Sequence, residues 1–261
     1  MDESGEAKMT TAGSMKGRAA LVTGAASGLG RATAFALGRA GADVIAVDVN
    51  VTALEETAAQ LRSQGTKVLV RTADLSLREN CVAAVAAAIA EFGRLDALCN
   101  VAGIIVMCNA HEMRAADYER TIAVNLNAPF FLMQAAIPHL LASHGAVVNV
   151  TSSAAFVGEA YAAAYCATKA GLTHMTKALA MEYVHKPIRF NAVAPGGMAT
   201  NIANDLKMPE GVDYALIKRY SGQRGLVEVD DVADIVVFLA SDAGRSYHGA
   251  CINIDRGVTA G

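Results

Sequence analysis

The sequence predicts an α/β domain: a doubly wound, mostly parallel sheet of seven strands with helices on both faces. Two observations carry this expectation. Short β-branched runs alternate with longer alanine-rich stretches along nearly all of the 261 residues, which is the rhythm of repeated β-α-β units. Several runs are apolar almost throughout, among them Ala20-Leu21-Val22, Val44-Ile45-Ala46-Val47 and Val147-Val148-Asn149-Val150. That pattern suits strands covered on both faces.

Taken in order, strands are expected at 19–23, 43–48, 67–71, 95–100, 146–151, 188–194 and 251–254. Helices are expected at 29–39, 51–64, 79–92, 117–141, 160–183 and 230–239. Right-handed crossovers place the C-terminal ends of such strands along one edge, and ligands bind at that edge. Residues 196–225 break the rhythm and hold Met198, Ile202, Leu206, Met208 and Leu216. They read as a flap over a pocket, or as an ordinary helical insertion. No linker rich in Pro, Gly or Ser divides the chain, so 16–261 reads as one domain. Residues 1–15 are small and polar and read as a disordered tail, with an internal methionine as an alternative start. They lack the basic start and apolar stretch of a signal peptide.

Composition excludes several roles. Net charge is −3, so neither nucleic acid nor an anionic membrane exerts a strong pull. There is no Trp and only 5% aromatic residues, which supplies few stacking platforms for single strands. No apolar run approaches the ~18 residues that span a bilayer. The five cysteines are odd in number and fit no zinc spacing, and the histidines are scattered. Reduced thiols, a cytoplasmic location and no metal are expected.

The chemistry gathers at the strand ends. The first strand runs into Thr23-Gly24-Ala25-Ala26-Ser27-Gly28-Leu29-Gly30 and then a helix. Glycines there allow a tight turn and let a pyrophosphate approach the helix N-terminus. The second strand ends at Asp48, placed to accept hydrogen bonds from adenosine ribose hydroxyls and to repel a 2′-phosphate. No basic residue follows it directly, so NAD is favoured over NADP, although Arg31 follows the last glycine. Asp48 would also serve as a strand-end turn or helix cap. Asp74-Leu75, Asn100-Val101-Ala102-Gly103 and Pro195-Gly196 follow later strands at the same edge.

Tyr165 and Lys169 stand four apart, with Ser152 thirteen residues before the tyrosine. Residues i and i+4 share a helix face. A phenol of pKa about 10 lowered by a fixed cation would pass protons to and from an alcohol or ketone. Ser152 would hydrogen-bond the same substrate oxygen. The spacing alone also suits a surface pair, and Thr151 and Ser153 could cap a turn as readily as Ser152.

Together these motifs, with Asn125 and Thr200, resemble a single-domain short-chain dehydrogenase/reductase from about Lys16 to the C-terminus. The resemblance implies a Rossmann-like fold and an oxidoreductase that moves a hydride between a nicotinamide and a secondary alcohol or ketone. It implies Tyr165 as acid/base and Lys169 as its pKa-lowering partner and ribose ligand. Ser152 would polarise the substrate, and Asn125 would hold a relay water or, alternatively, kink its helix by satisfying its own backbone. Asp74 and Leu75 would meet adenine, and Asn100, Ala102 and Gly103 the adenosine ribose. Pro195 and Gly196 would line the cofactor site, with Met198 and Thr200 on the carboxamide. Val101 and Arg256 depart from the family pattern, where Asn and Gly are usual.

Val106, Met107, Phe156, Tyr161, Met198 and Ile202 suggest a hydrophobic alcohol substrate. Glu159 is the exception, reading a polar group or facing water. Two alternatives stand beside the dehydrogenase: a 3-oxoacyl thioester reductase using NADPH, and a non-catalytic dinucleotide-sensing scaffold. Small apolar faces on 117–141 and 160–183, with the resemblance, imply a homotetramer; the residues alone leave a homodimer open.

Overall fold

The seven strands are β1 (Ala19–Thr23), β2 (Asp43–Asp48), β3 (Val68–Thr72), β4 (Ala97–Asn100), β5 (Ala146–Val150), β6 (Arg189–Pro195) and β7 (Cys251–Ile254). They form one sheet in the order β3-β2-β1-β4-β5-β6-β7, and each neighbouring pair is parallel. The computed structural model describes residues 13–199, 207–220, 222 and 224–260. Strand order reverses at β1, which pairs with β2 on one side and β4 on the other. Crevices for ligands open at such a switch point.

Two cores form because side chains alternate along each strand. From β1, Ala20 and Val22 join one face with Leu37, Val232, Val236 and Leu239. Ala19 and Leu21 join the other with Leu98, Leu132, Leu140 and Phe190. The first face is covered by α1 (Gly28–Arg39) and α2 (Val51–Ser63), with the late helix Val229–Ala240. The second is covered by α3 (Arg78–Phe92) and, after the short α4 (Ala115–Ile122), by α5 (Ala128–Ser143) and α6 (Ala163–Glu182). Local signals fix the ends. Asn50 Oδ1 accepts from the Ala53 N–H at 3.1 Å to cap α2, the usual role of Asn at that place. Gly93, at φ 69°, ends α3 in the left-handed conformation, as glycine does at little cost.

Three expectations change. The helix expected at 117–141 is broken by a π-helical turn, Ala123–Asn127, between α4 and α5. There Asn125 leaves its own helix to bond the Ile104 backbone in both directions, each at 2.8 Å. The helix expected from 160 begins at Ala163, because Tyr161 sits at φ 67° in a preceding turn. Met15, expected in the tail, is fully buried, and its N–H donates to Ala40 O at 2.8 Å. The segment 196–225, read as a flap or a helical insertion, holds a short helix, α7 (Tyr214–Lys218), ahead of α8 (Val229–Ala240). Its ends are joined where Met198 bridges to Val227. Thr200, Ile202 and Leu206 lie outside the described residues. Among the described residues, no helix is long and apolar enough to cross a membrane.

Candidate functional site

A cleft of about 320 Å³ lies along the strand ends on both sides of the switch point. One end is built from backbone. Gly24 and Gly28 sit at φ 72° and 49°, a conformation that costs a side-chain residue energy. A Cβ on Gly30 would land on the carbonyl oxygen of Gly24, so only glycine lets α1 start this close to the turn. Ser27 is the N-cap of α1 and makes no side-chain capping bond. Helix-start N–H groups without internal partners form an anion site. Gly24, Ser27, Gly28, Leu29 and Gly30 all line the cleft here. Thr23 Oγ1 accepts from the Val101 and Ala102 N–H groups, each at 3.0 Å. That ties the end of β4 to the end of β1 and sets Ala102 and Gly103 on the cleft wall.

Asp48 lines the cleft beside this turn. Its Oδ2 accepts from the Ala26 N–H at 3.0 Å and its Oδ1 from the Asn50 N–H at 2.9 Å. It is therefore a turn-holding residue and a cleft residue at once. Arg31 faces away. Its Nε donates to Thr57 Oγ1 at 2.9 Å, its Nη2 to Ala53 O at 3.3 Å, and Glu56 lies 3.7 Å off.

Asp74 and Leu75 line the same end. The Ser76 backbone N–H, aided by the Arg120 guanidinium, holds the Asp74 carboxyl below the usual carboxylate range. Arg120, at 3.3 Å from Asp74 Oδ2, also lines the cleft. Sequence reasoning missed it, because an Arg on a short polar helix looks like any solvated residue. Its one signal is its place a helical turn before Val124, another lining residue.

The other end carries Ser152, Tyr165 and Lys169, with Pro195, Gly196 and Met198 opposite. Helix α6 sets Tyr165 and Lys169 on one face, with Lys169 Nζ 5.6 Å from the tyrosine ring centre. Lys169 is 2% exposed, and its Nζ donates to Val150 O at 3.0 Å. A Cβ on Gly103 would sit 3.3 Å from that Nζ and 3.4 Å from Asn125 Oδ1, so the glycine leaves the ammonium its room. Ser152 Oγ accepts from the Ala154 N–H at 3.2 Å, and its hydroxyl stands beside the Tyr165 phenol.

Electrostatics here differ from the expectation. Burial pushes the Tyr165 phenol up to about 12, and the neighbouring Ser152 hydroxyl opposes the rise only in part. Burial pushes the Lys169 ammonium down to about 8. Desolvation disfavours the charged form of each, and the Lys169 proton is directed at Val150 O rather than at the phenol.

Two expected residues stay behind the wall. Asn100 is buried and donates from Nδ2 to Asn149 Oδ1 at 2.8 Å, and Asn149 donates on to Thr176 Oγ1 at 2.9 Å. Its side chain braces β4 against β5 rather than facing a ribose. Asn125 supports from the π-helical turn, donating to Thr168 Oγ1 at 3.2 Å besides its bonds to Ile104.

The family model described as short chain dehydrogenase matches residues 18–211. D-threitol dehydrogenase of Mycolicibacterium smegmatis is 37% identical over 246 residues, 94% of this chain and 94% of that protein. The crystal structure of carveol dehydrogenase from Mycobacterium avium, in complex with NAD, superposes with a TM-score of 0.85 at 27% identity, covering 95% of this chain and all of that one (100%). That of 3-ketoacyl-(acyl-carrier-protein) reductase from Brucella melitensis, complexed with NADH, gives 0.85 at 29% identity, over 94% and 100% of the two chains. The likeness thus runs through both ends of the cleft, and the chain belongs to the short-chain dehydrogenase family, oxidoreductases that work with a nicotinamide cofactor.

Proposed function

We propose that this protein is an NAD-dependent dehydrogenase that interconverts a secondary alcohol and its ketone, with Ser152, Tyr165 and Lys169 as the reacting set. The supporting observation is that these three share one cleft with the glycine turn of α1. The cradle fits a dinucleotide. A side chain at Gly30 would collide with the Gly24 carbonyl, and the helix start offers N–H groups to a pyrophosphate. Asp48 would hold the adenosine ribose, with Asp74, Leu75 and Arg120 around the adenine. Ala102, Gly103, Pro195, Gly196 and Met198 would line the remainder. When bound, the cofactor supplies the hydride acceptor and, in its oxidised form, a positive ring.

The chain's own residues handle the proton. Ser152 Oγ–H donates to the substrate oxygen and fixes its place. Tyr165 Oη takes the hydroxyl proton during oxidation and returns it during reduction. A positive charge brought into the cleft lowers the Tyr165 value from its high resting level. Lys169 holds the ribose side and keeps a proton within the buried face of α6. Asn125 positions the wall behind it.

Asp48 and the averted Arg31 support NAD over NADP. A purified-protein assay tests this, following absorbance of the reduced cofactor with secondary alcohols and with NAD and NADP in parallel. At least ~10-fold higher kcat/KM with NAD is expected from like-charge repulsion of a 2′-phosphate. Preference for NADP would contradict the Asp48 reading. The Brucella melitensis structure keeps a 3-oxoacyl thioester reductase as the second reading. It holds NADH, so substrate rather than cofactor separates the two.

Homotetramer assembly belongs to the same proposal. It is supported by the exposed small residues Ala163, Ala167 and Ala170 at helical spacing on α6 and by Phe130, 38% exposed on α5. The five unbridged cysteines suit a cytoplasmic location.

A further inference from the structure

The cleft wall opposite the reacting set rests on a turn that the proton chemistry does not use. Pro195, Gly196 and Met198 line the cleft together with Ser152, Tyr165 and Lys169. β6 ends at Pro195 beside Ile254 of β7, and the Gly196 N–H donates to Ile254 O at 2.9 Å. A Cβ on Gly196 would lie 2.9 Å from Asp255 Cα, so the wall lies directly on the turn that follows β7. Asp255 closes that turn. Its Oδ1 accepts from the Gly257 N–H at 2.9 Å and its Oδ2 from the Thr259 N–H at 3.0 Å.

A second stretch of chain meets the wall from the other side. The Val227 N–H donates to Gly197 O at 2.9 Å, and Val227 bridges to Met198. Val227 is buried, and Met198 packs against the same core. Arg256 joins this stretch to the turn after β7: its Nη1 donates to Arg224 O at 2.9 Å. Among the described residues it forms no ion pair. Its backbone stands at φ 52°, in the left-handed region that a side chain disfavours. Glycine, usual at this place in the family, sits there without strain. Such strain persists where the surrounding structure holds it, and it points to a use for the side chain.

We infer that Arg256 is a positioning residue: by tying Arg224 to the turn after β7, it braces the Met198 wall against the nicotinamide end of the bound cofactor. This rests on the dehydrogenase reading above and adds to it a residue outside the cleft lining. The path is continuous. Arg256 holds Arg224, the chain runs on three residues to Val227, and Val227 holds Gly197 and Met198 at the cleft. Without the guanidinium, Val227 keeps its bond to Gly197, but the chain leading into it loses its anchor. A wall fixed before the ligand arrives leaves less ordering to be done on binding. The glycine turn of α1 and Asp48 lie at the other end of the cleft, so the adenosine half of the cofactor does not depend on this brace.

The test is calorimetric titration of the wild type, Arg256→Gly and Arg256→Lys with two ligands, NADH and ADP-ribose, which lacks the nicotinamide. One hydrogen bond is worth ~2- to 10-fold in an equilibrium. Arg256→Gly should bind NADH more weakly by that amount and ADP-ribose as tightly as the wild type does. The retained ADP-ribose binding shows that the variant is folded. Arg256→Lys, which keeps a cationic donor on the same turn, should recover most of the NADH affinity. A purely structural role would weaken both ligands together. Wild-type NADH affinity in Arg256→Gly, or equal losses for NADH and ADP-ribose, overturns the inference and leaves the dehydrogenase reading intact. Wild-type protein that binds neither ligand overturns the dinucleotide reading and this inference with it.

Discussion

The two ends of the cleft are built from different materials. At the cofactor end, backbone faces backbone: Gly24, Gly28 and Gly30 fold the chain so tightly that an added methyl at Gly30 meets the Gly24 carbonyl. At the substrate end, a turn is held by side chains from far along the chain, through Tyr161 to Asp213 and Tyr220 to Ala160. The first end has one workable conformation and serves any substrate. The second can be re-tuned by single side chains without disturbing the first.

The division predicts unequal damage. Gly30→Ala should have the larger effect. Overpacking against backbone costs on the order of 1–3 kcal/mol, so thermal melting should show a lower Tm. NADH titration by fluorescence should show at least ~10-fold weaker binding. A variant with wild-type Tm and affinity would erase the contrast between the ends. Tyr220→Phe should have the smaller effect. It removes one hydroxyl bond worth ~0.5–1.5 kcal/mol, which should lower kcat/KM for the alcohol ~2- to 10-fold with NADH affinity unchanged. If NADH binding weakens instead, the two ends are coupled and the division is wrong.

The same contrast explains what the sequence made legible. The strands, the glycine turn, Asp48 and the Tyr165–Lys169 pair depend on periodicity or on spacing within one element, and each was placed from the residues alone. Features set by distant contacts were not. The break in the helix expected at 117–141 falls at Asn125, a candidate kink residue in the sequence, whose long-range partner Ile104 only the fold reveals. Asn100 begins a cleft-edge motif and so reads as a ribose neighbour, yet alternation along β4 turns it toward Asn149. Met15 reads as tail because its neighbours are polar, yet its side chain joins the core and its N–H bonds Ala40 O. The closeness of Lys169 to Tyr165 is legible in the sequence, whereas the burial that raises the phenol is set by the packed fold. Arg120 enters the cleft only through its partner Asp74.

The most direct test of the account is the pair of measurements on Tyr165→Phe: NADH affinity and turnover of a secondary alcohol with NAD. The account predicts nearly unchanged affinity, because the cofactor end is built without the phenol, and turnover at least ~100-fold lower, the usual range for a lost acid/base. Undiminished turnover in that variant would contradict it.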